Sequence, residues 1–391
     1  MAFDVTSWFM AQAEGKVSEP KRVFTIGTSD YSDRVVSWPS IKKKWDDPRA
    51  VTVSMRLMNQ DKALNVFYSD PTQMRNNCVL KMGFTHPTSG DELVTLFAGT
   101  VRTVSMNKGN LTLGIRDKWK QFSELAVGDN DTPVVFSGAT FFPHDLVWTI
   151  VTCYGEFSSV ASTSNPDVDY QSFLDWASVF SADNVQMDGR FDGQKTTEAL
   201  RSIARSTDSA IYIEEDKLVF KRFTLIDSNT SSLSAANVSD DTVMIDDGKI
   251  FNRQRVRAAY DPSSETYGIE VLDVDTVSVN SFGPRDNTIE DENVWYVNSQ
   301  SALNLAQRII FAQAGAVQMF KVDTNLTSLP RQIGETIALS NDFFSVDQNW
   351  RIMESNLSMQ SGKITLSLER NRLVNPFILD SSTLDGPDVL T

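Results

Sequence analysis

Apolar and polar residues alternate with a period of two over much of the chain, and two stretches carry the pattern most clearly. In residues 104–117, Val104 and Met106 run into a turn at Asn107, Lys108 and Gly109. The chain then returns with Leu111, Leu113 and Ile115 alternating with Thr112, Gly114 and Arg116. This pattern predicts a β-hairpin, because successive side chains of a strand point to opposite faces and Asn and Gly suit the backbone of a tight turn. Residues 357–370 repeat the pattern. Aligned without a gap, the two segments share Ser105/Ser358, Met106/Met359, Gly109/Gly362, Thr112/Thr365 and Leu113/Leu366, and the intervening apolar positions coincide. Hairpins converge on such patterns because turn chemistry and pleat period are universal. The sharper reading is two related β-barrels in one chain.

The same period predicts strands at 22–28, 34–38, 51–58, 78–84 and 93–106, with a short helix over 118–126 closing an all-β unit. The opening twenty residues, with Trp8, Phe9 and Met10 among polar neighbours, read as an arm or an edge strand. The basic run Lys42, Lys43, Lys44 beside Trp45 reads as a solvated loop, and residues 59–74 carry turn signals and little periodicity. After a polar linker at 128–132 the period lengthens to 3.6. Pro143 suits the first turn of a helix with Leu146, Val147, Ile150 and Val151 on one face. Further helices are expected over 170–180 and after Thr196, followed by a hairpin at 210–213 and 218–222. The Ser/Asn-rich stretch 227–241 reads as a long surface loop. Strands return at 253–260, 267–279, 317–326, 336–340 and 350–355. One helix interrupts them, with Asn298 as N-cap, a stripe of Ala302, Leu305, Ala306, Ile309 and Ile310, and Gly315 placed to end it.

The expected fold is mainly β with an α+β insert: two related β-barrel domains of tube type flanking a small α+β domain. The first barrel takes residues 1–127 and the α+β domain 128–249, including the surface loop 227–241. The second barrel takes 250–372 with its helix at 298–314, and 373–391 form an extended tail. A length of 391 residues agrees with two to three domains.

Composition removes several functions. No apolar run approaches the roughly 18 residues of a membrane-spanning helix, and Asp4 stands where a signal peptide carries positive charge. Two cysteines, Cys78 and Cys153, fit a reducing cytoplasm. The net charge of −15 argues against ordinary nucleic-acid binding, which relies on Lys and Arg neutralising phosphates. Residues 189–196 only superficially resemble a phosphate loop: the spacing is one residue short, and Gln194 intervenes between Gly193 and Lys195. The two histidines, His86 and His144, have no Cys cluster beside them for zinc, and four thiolates for an iron–sulfur cluster are lacking. Acidic runs at 240–241, 246–247 and 286–292 lack EF-hand spacing. No catalytic, cofactor-binding or metal-ligating residue is marked, and no enzyme activity or cofactor is expected.

The order of parts resembles the baseplate hub or tail-tip hub proteins of long-tailed, siphovirus-like phages and gene transfer agents. The first-barrel resemblance lies in Val51-Thr-Val-Ser-Met-Arg-Leu-Met-Asn59, Leu96-Phe-Ala-Gly-Thr-Val101 and Leu111-Thr-Leu-Gly-Ile-Arg-Asp117. Residues 197–210 and 212–220 resemble the family's helix-plus-hairpin domain. Phe251-Asn-Arg-Gln-Arg-Val-Arg257, the helix at 302–312, Ile333-Gly-Glu-Thr-Ile337 and Trp350-Arg-Ile-Met-Glu354 resemble its second barrel. The resemblance runs from about residue 22 to 370, and it lies in the succession of loose motifs.

It implies a virion structural protein assembled in the host cytoplasm: a homotrimer whose six pseudo-equivalent barrels adapt a sixfold tail tube to a threefold tip. It also implies a distal tail protein ring above, a central fibre or tip protein below, and the tape-measure C-terminus in the lumen. DNA would pass through the channel without specific binding, and no segment would span a membrane. DNA carries one charge per roughly 1.7 Å of axis, so part of the acidic surplus is expected to face the lumen and repel it. The alternative reading is a receptor- or glycan-binding tail protein, for which eight tryptophans would suit.

Overall fold

A computed structural model describes residues 5–15, 19–45, 51–129, 131–138, 140–222, 231–234, 237–246, 250–314, 317–340 and 348–370. The chain opens with a helix, α1 (Ser7–Glu14). Thr6 caps it by accepting from the Phe9 amide, and Thr6 is itself held by Glu92 through two hydrogen bonds of 2.6 Å. Phe9 buries against Phe84 at 5.2 Å between ring centroids. The arm or edge strand expected here is corrected to a helix. Only Phe9 and Ala13 of α1 are buried, so its apolar side is too narrow to show a 3.6 period.

The first sheet is built from β1 (Lys21–Ile26), β2 (Ser29–Asp30), β3 (Val35–Ser37), β5 (Thr52–Met58), β6 (Asn77–His86), β7 (Gly90–Asn107) and β8 (Asn110–Arg116). Between β3 and β5 lies β4 (Ser40–Lys44), which belongs elsewhere. Residues 63–73 fold as short helical turns around α2 (Val66–Ser69). The alternation read in the sequence is real: Val53, Met55 and Leu57 of β5, and Leu111, Leu113 and Ile115 of β8, are buried while their neighbours face out.

A second hydrophobic core then begins. It takes α3 (Trp119–Phe122), β9 (Ala126–Val127), β10 (Val134–Phe136), α4 (Pro143–Thr149), α5 (Tyr170–Ala182), β11 (Met187–Phe191), β12 (Gln194–Lys195), α6 (Thr196–Ser206), and the hairpin of β13 (Ser209–Glu214) and β14 (Lys217–Arg222). That hairpin has two apolar faces. Ala210, Tyr212 and Val219 enter the core of the sheets, while Ile211, Leu218 and Phe220 enter the α+β core. Trp119 and Phe122 also face the α+β core, so the short helix after β8 opens the second unit.

The second sheet starts with β15 (Ser231–Ser234), inside the stretch 227–241 expected to be a loop, and β16 (Val238–Asp246), which begins within it. Its Ser/Asn-rich sequence has weak strand preference, and tertiary pairing overrides it: β15 runs parallel to β22 (Thr336–Ser340), and β16 antiparallel to β21 (Val317–Thr324). Between β16 and β21 the chain returns to the α+β core. There β17 (Arg253–Asp261), β18 (Thr266–Val274), α7 (Thr276–Phe282), β19 (Asp286–Ile289), β20 (Val294–Tyr296) and α8 (Ser299–Gln313) fold. Val256, Ala258, Val294, Tyr296, Ala302, Leu305, Ala306 and Ile309 all pack with α4–α6.

The segment 250–314, expected in the second barrel, therefore contributes to the α+β core. Its period of two is genuine, and period alone does not say which sheet a strand joins. The strand expected over 267–279 ends at Val274, where Asp275 accepts from the Ser278 amide and starts α7. Asn298 caps α8 as read, accepting from the Ser301 amide at 2.8 Å. Gly315, the tail from 373 and residues 227–230 lie outside the described residues. β23 (Gln348–Ser358) and β24 (Lys363–Arg370) complete the second sheet.

Apart from the two-residue edge strand β2 beside β1, the first sheet runs β1-β6-β7-β8-β5-β3; apart from β4, which pairs with β23, the second runs β15-β22-β23-β24-β21-β16. Numbered by position in the chain, these are the same permutation. The two sheets are thus one topology used twice, differing at one edge: β1 is antiparallel to β6, whereas β15 is parallel to β22. Both sheets face a single continuous core.

Candidate functional site

The two hairpins singled out in the sequence are β7–β8 and β23–β24, and they occupy equivalent places. Each ladder has five paired positions between the turn and a β-bulge: Asn107↔Asn110 to Thr103↔Gly114 before the irregularity at Arg102, and Ser358↔Lys363 to Glu354↔Ser367 before that at Met353. The return strands match as aligned, with Leu111, Leu113 and Ile115 at the rungs of Ile364, Leu366 and Leu368. Gly109 (φ 76°) and Gly362 (φ 71°) both take the left-handed conformation that ends the turn. The outgoing strands do not match as aligned. The second loop holds two more residues, so Ser105 and Met106 stand at the rungs of Asn356 and Leu357 rather than of Ser358 and Met359.

The seam between the repeats is made by β4. It leaves the first repeat and pairs antiparallel with β23, Lys44 to Glu354 through Ser40 to Ser358. Hydrogen bonds from the Trp45 amide to the Met353 carbonyl (2.9 Å) and from the Met359 amide to the Pro39 carbonyl (3.1 Å) extend that ladder at both ends. Ile41 covers Leu357. On the other face of β4's alternation, Lys42 and Lys44 both reach Glu354, at 2.7 and 3.3 Å, while Lys43 turns to Glu214 of β13. Burial pushes the Glu354 carboxyl up, but the hydrogen bonds from Lys42 and Lys44 outweigh it and hold the group below the usual carboxylate range. The solvated loop expected at Lys42–Lys44 is corrected accordingly. One apolar residue among three lysines gives no strand signal, and the lysines are there to meet carboxylates on two other elements.

Arg22 adds a second tie, donating to the Met359 carbonyl (2.6 Å) and the Gln360 carbonyl (3.3 Å), and the Gln360 side chain accepts from the Trp38 amide at 3.0 Å. The loop of the second hairpin is therefore gripped by the first repeat. Sequence reasoning missed these pairings, since nothing in a chain marks partners 171 to 338 positions apart.

Candidate chemistry elsewhere resolves into structure. Among the described residues no group of three or more His, Cys, Asp or Glu is placed to hold a metal ion. Residues 189–196 form β11, a turn at Gly193 (φ 106°) and the start of α6. His86 organises its own turn, its Nδ1 accepting from the Thr88 and Ser89 amides. His144 lies near Asp145, and burial lowers its affinity for a proton. Cys78 is buried, its thiol pushed up to about 12 by desolvation; Cys153 is exposed, and the two are not bonded. Of the acidic residues at 286–292, Asp286 pairs with Arg253 and Glu290 with Arg257. No helix among the described residues is long and apolar enough to cross a membrane. What the molecule presents is a duplicated sheet and the strand that sews its halves together.

Solved structures superpose on this fold over nearly their whole length. The tail protein from Neisseria meningitidis MC58 superposes with a TM-score of 0.57 at 15% identity, covering 90% of this chain and 96% of that one. The chain has the fold of a phage tail protein. The 43 kDa tail protein of prophage MuSo2 from Shewanella oneidensis gives 0.55 at 13% identity, covering 90% and 99%. The prophage tail protein gp18 from Listeria monocytogenes EGD-e gives 0.50 at 11%, covering 88% and 94%. No protein-family model and no curated protein matches the sequence. The likeness to these tail proteins therefore lies in the fold, at identities where pairwise sequence comparison carries little.

Proposed function

We propose that this protein is a structural hub of a phage tail baseplate or tail tip, acting as a homotrimer whose three chains place six similar sheets around a channel. The duplicated topology is the observation that carries this reading. One chain with two copies of a sheet supplies, at threefold symmetry, the six positions that a sixfold tube requires. On this reading the sheets of 21–116 and 231–370 form the tube wall, and the α+β unit, including 250–314, stands beside it. A distal tail protein ring lies on one side and a central fibre or tip protein on the other. The tape-measure C-terminus reaches into the lumen, and DNA passes without specific binding. Part of the net charge of −15 lines that lumen, where it repels the phosphates. The role is architectural rather than catalytic, in a virion assembled in the host cytoplasm.

Mass and symmetry in solution test the proposal. Light scattering should give three chains, and negative-stain images should show rings that dock on tail tubes. A monomer that binds host polysaccharide would replace it with the receptor-binding reading, and a channel wall predominantly of Lys and Arg would remove the electrostatic part.

A further inference from the structure

The two repeats differ in what lies beside the outgoing strand of the hairpin. In the second, β4 covers the β23 edge over Glu354–Ser358, leaving Leu357 6% exposed and Ile41 3%. In the first, β7 is paired with β6 only up to Thr100, with Arg75 and Asn76 bonding Val101 just beyond. From Thr103 to Asn107 no strand of the described residues lies on that side. The turn pairs Asn107 with Asn110, so by alternation Thr103, Ser105 and Asn107 bond to β8 while the backbone groups of Val104 and Met106 point outward. These are the rungs of Ser355 and Leu357, where β23 receives β4. Met106, at the rung of Leu357, is 41% exposed.

We infer that the β7 edge at Thr103–Asn107 is a docking site for a strand from a second copy of this chain. The occupant follows from the seam already in place. The strand on the second repeat comes from the repeat before it in the chain, between β3 and β5. In a closed series of repeats, the strand on the first repeat comes from a neighbouring copy, whose second repeat meets this edge. The edge is suited to it: a bare row of backbone donors and acceptors, with a Met where the filled repeat has a covered Leu, is a template for strand addition. The donor and acceptor surfaces differ, so the contact is head-to-tail, the kind that makes a ring when its rotation closes. This inference rests on the ring reading of the preceding section and names the joint in that ring.

Met106→Pro removes one outward N–H and places a ring at the edge while leaving the bonds to β8 intact; Met106→Thr keeps the N–H. Self-association is measured by sedimentation over a concentration series, with thermal unfolding as a check on folding. Hydrogen exchange at Val104 and Met106 in the unaltered protein gives a second readout that needs no variant. The expected result is association weakened at least tenfold by Met106→Pro and little changed by Met106→Thr, with both amides protected in the assembly and exchanging freely in the monomer. Rings that form equally well with Met106→Pro and leave both amides unprotected overturn the joint but not the ring. A protein that does not self-associate at any concentration overturns both, and protection that appears only with another tail protein assigns the edge to that partner instead.

Discussion

The hairpins β7–β8 and β23–β24 share a ladder and differ in their surroundings. From the turn to the first rung past the bulge the two agree, and their inward residues are all aliphatic: Leu111, Leu113 and Ile115 against Ile364, Leu366 and Leu368. Farther along they part. At one rung the first repeat has Gly99 and the second Trp350; a Cβ on Gly99 would lie 2.4 Å from the Arg116 carbonyl oxygen, whereas Trp350 is fully buried against Phe320. The difference teaches that a duplicated sheet keeps what the backbone requires and diverges where each copy meets its neighbours.

The sharpest way to break that comparison is at this rung. Trp350→Ala is expected to cost about 3–5 kcal/mol, and Gly99→Ala about 1–3 kcal/mol through the backbone clash, read from urea unfolding. A neutral Trp350→Ala would mean the second sheet does not depend on that ring.

Next, Leu113→Ala and Leu366→Ala occupy matched positions in one continuous core and are each expected to cost about 2–5 kcal/mol. Both should move the same single transition. Two separable transitions, one responding to each variant, would show that the repeats fold independently.

A third test uses Asp117, which follows β8 at the position aligned with Arg370 at the end of β24. Asp117 accepts from the Val51 amide at 2.8 Å, and burial raises its carboxyl to about 7. A carboxyl raised by folding is protonated more readily in the native state. Its contribution is therefore complete below the unfolded carboxylate range and lost as pH rises towards about 7. Stability should fall across that window with a slope of up to about 1.4 kcal/mol per pH unit. Asp117→Asn should flatten it, and an unchanged profile in that variant would place the dependence elsewhere.

The smallest effects belong to the seam. Lys43→Met strands the buried Glu214 carboxylate and is expected to cost about 1–3 kcal/mol. Glu354→Gln, whose lysine partners are substantially exposed, should cost about 1 kcal/mol or less. The reverse order would mean that β4 is held chiefly by its outer face.

Much of the fold was legible because alternation reports burial directly. Val53, Met55 and Leu57 were readable as one face of β5, and the Ala302–Ile310 stripe as one side of α8, since each buries on a single partner surface. The duplication itself was visible in Gly109 and Gly362, whose left-handed backbone constrains sequence at that point. What was not legible depends on distant partners. β4 looks like a basic loop until Glu354 and Glu214 are beside it, and β15 looks like a serine-rich loop until β22 is. Residues 253–274 announce strands but not the core they join. The candidate interface was hidden for the same reason: an uncovered edge is a property of the neighbours, and Met106 reads the same in sequence whether it is covered or bare.

The polypeptide passes between the two cores four times, after β8, after β14, after β16 and after α8. A single proteolytic nick in any one of these connectors would still leave the halves covalently joined. Torque applied to the α+β body would likewise be shared among several backbone links, so the two cores respond to load together rather than one swinging on a single tether.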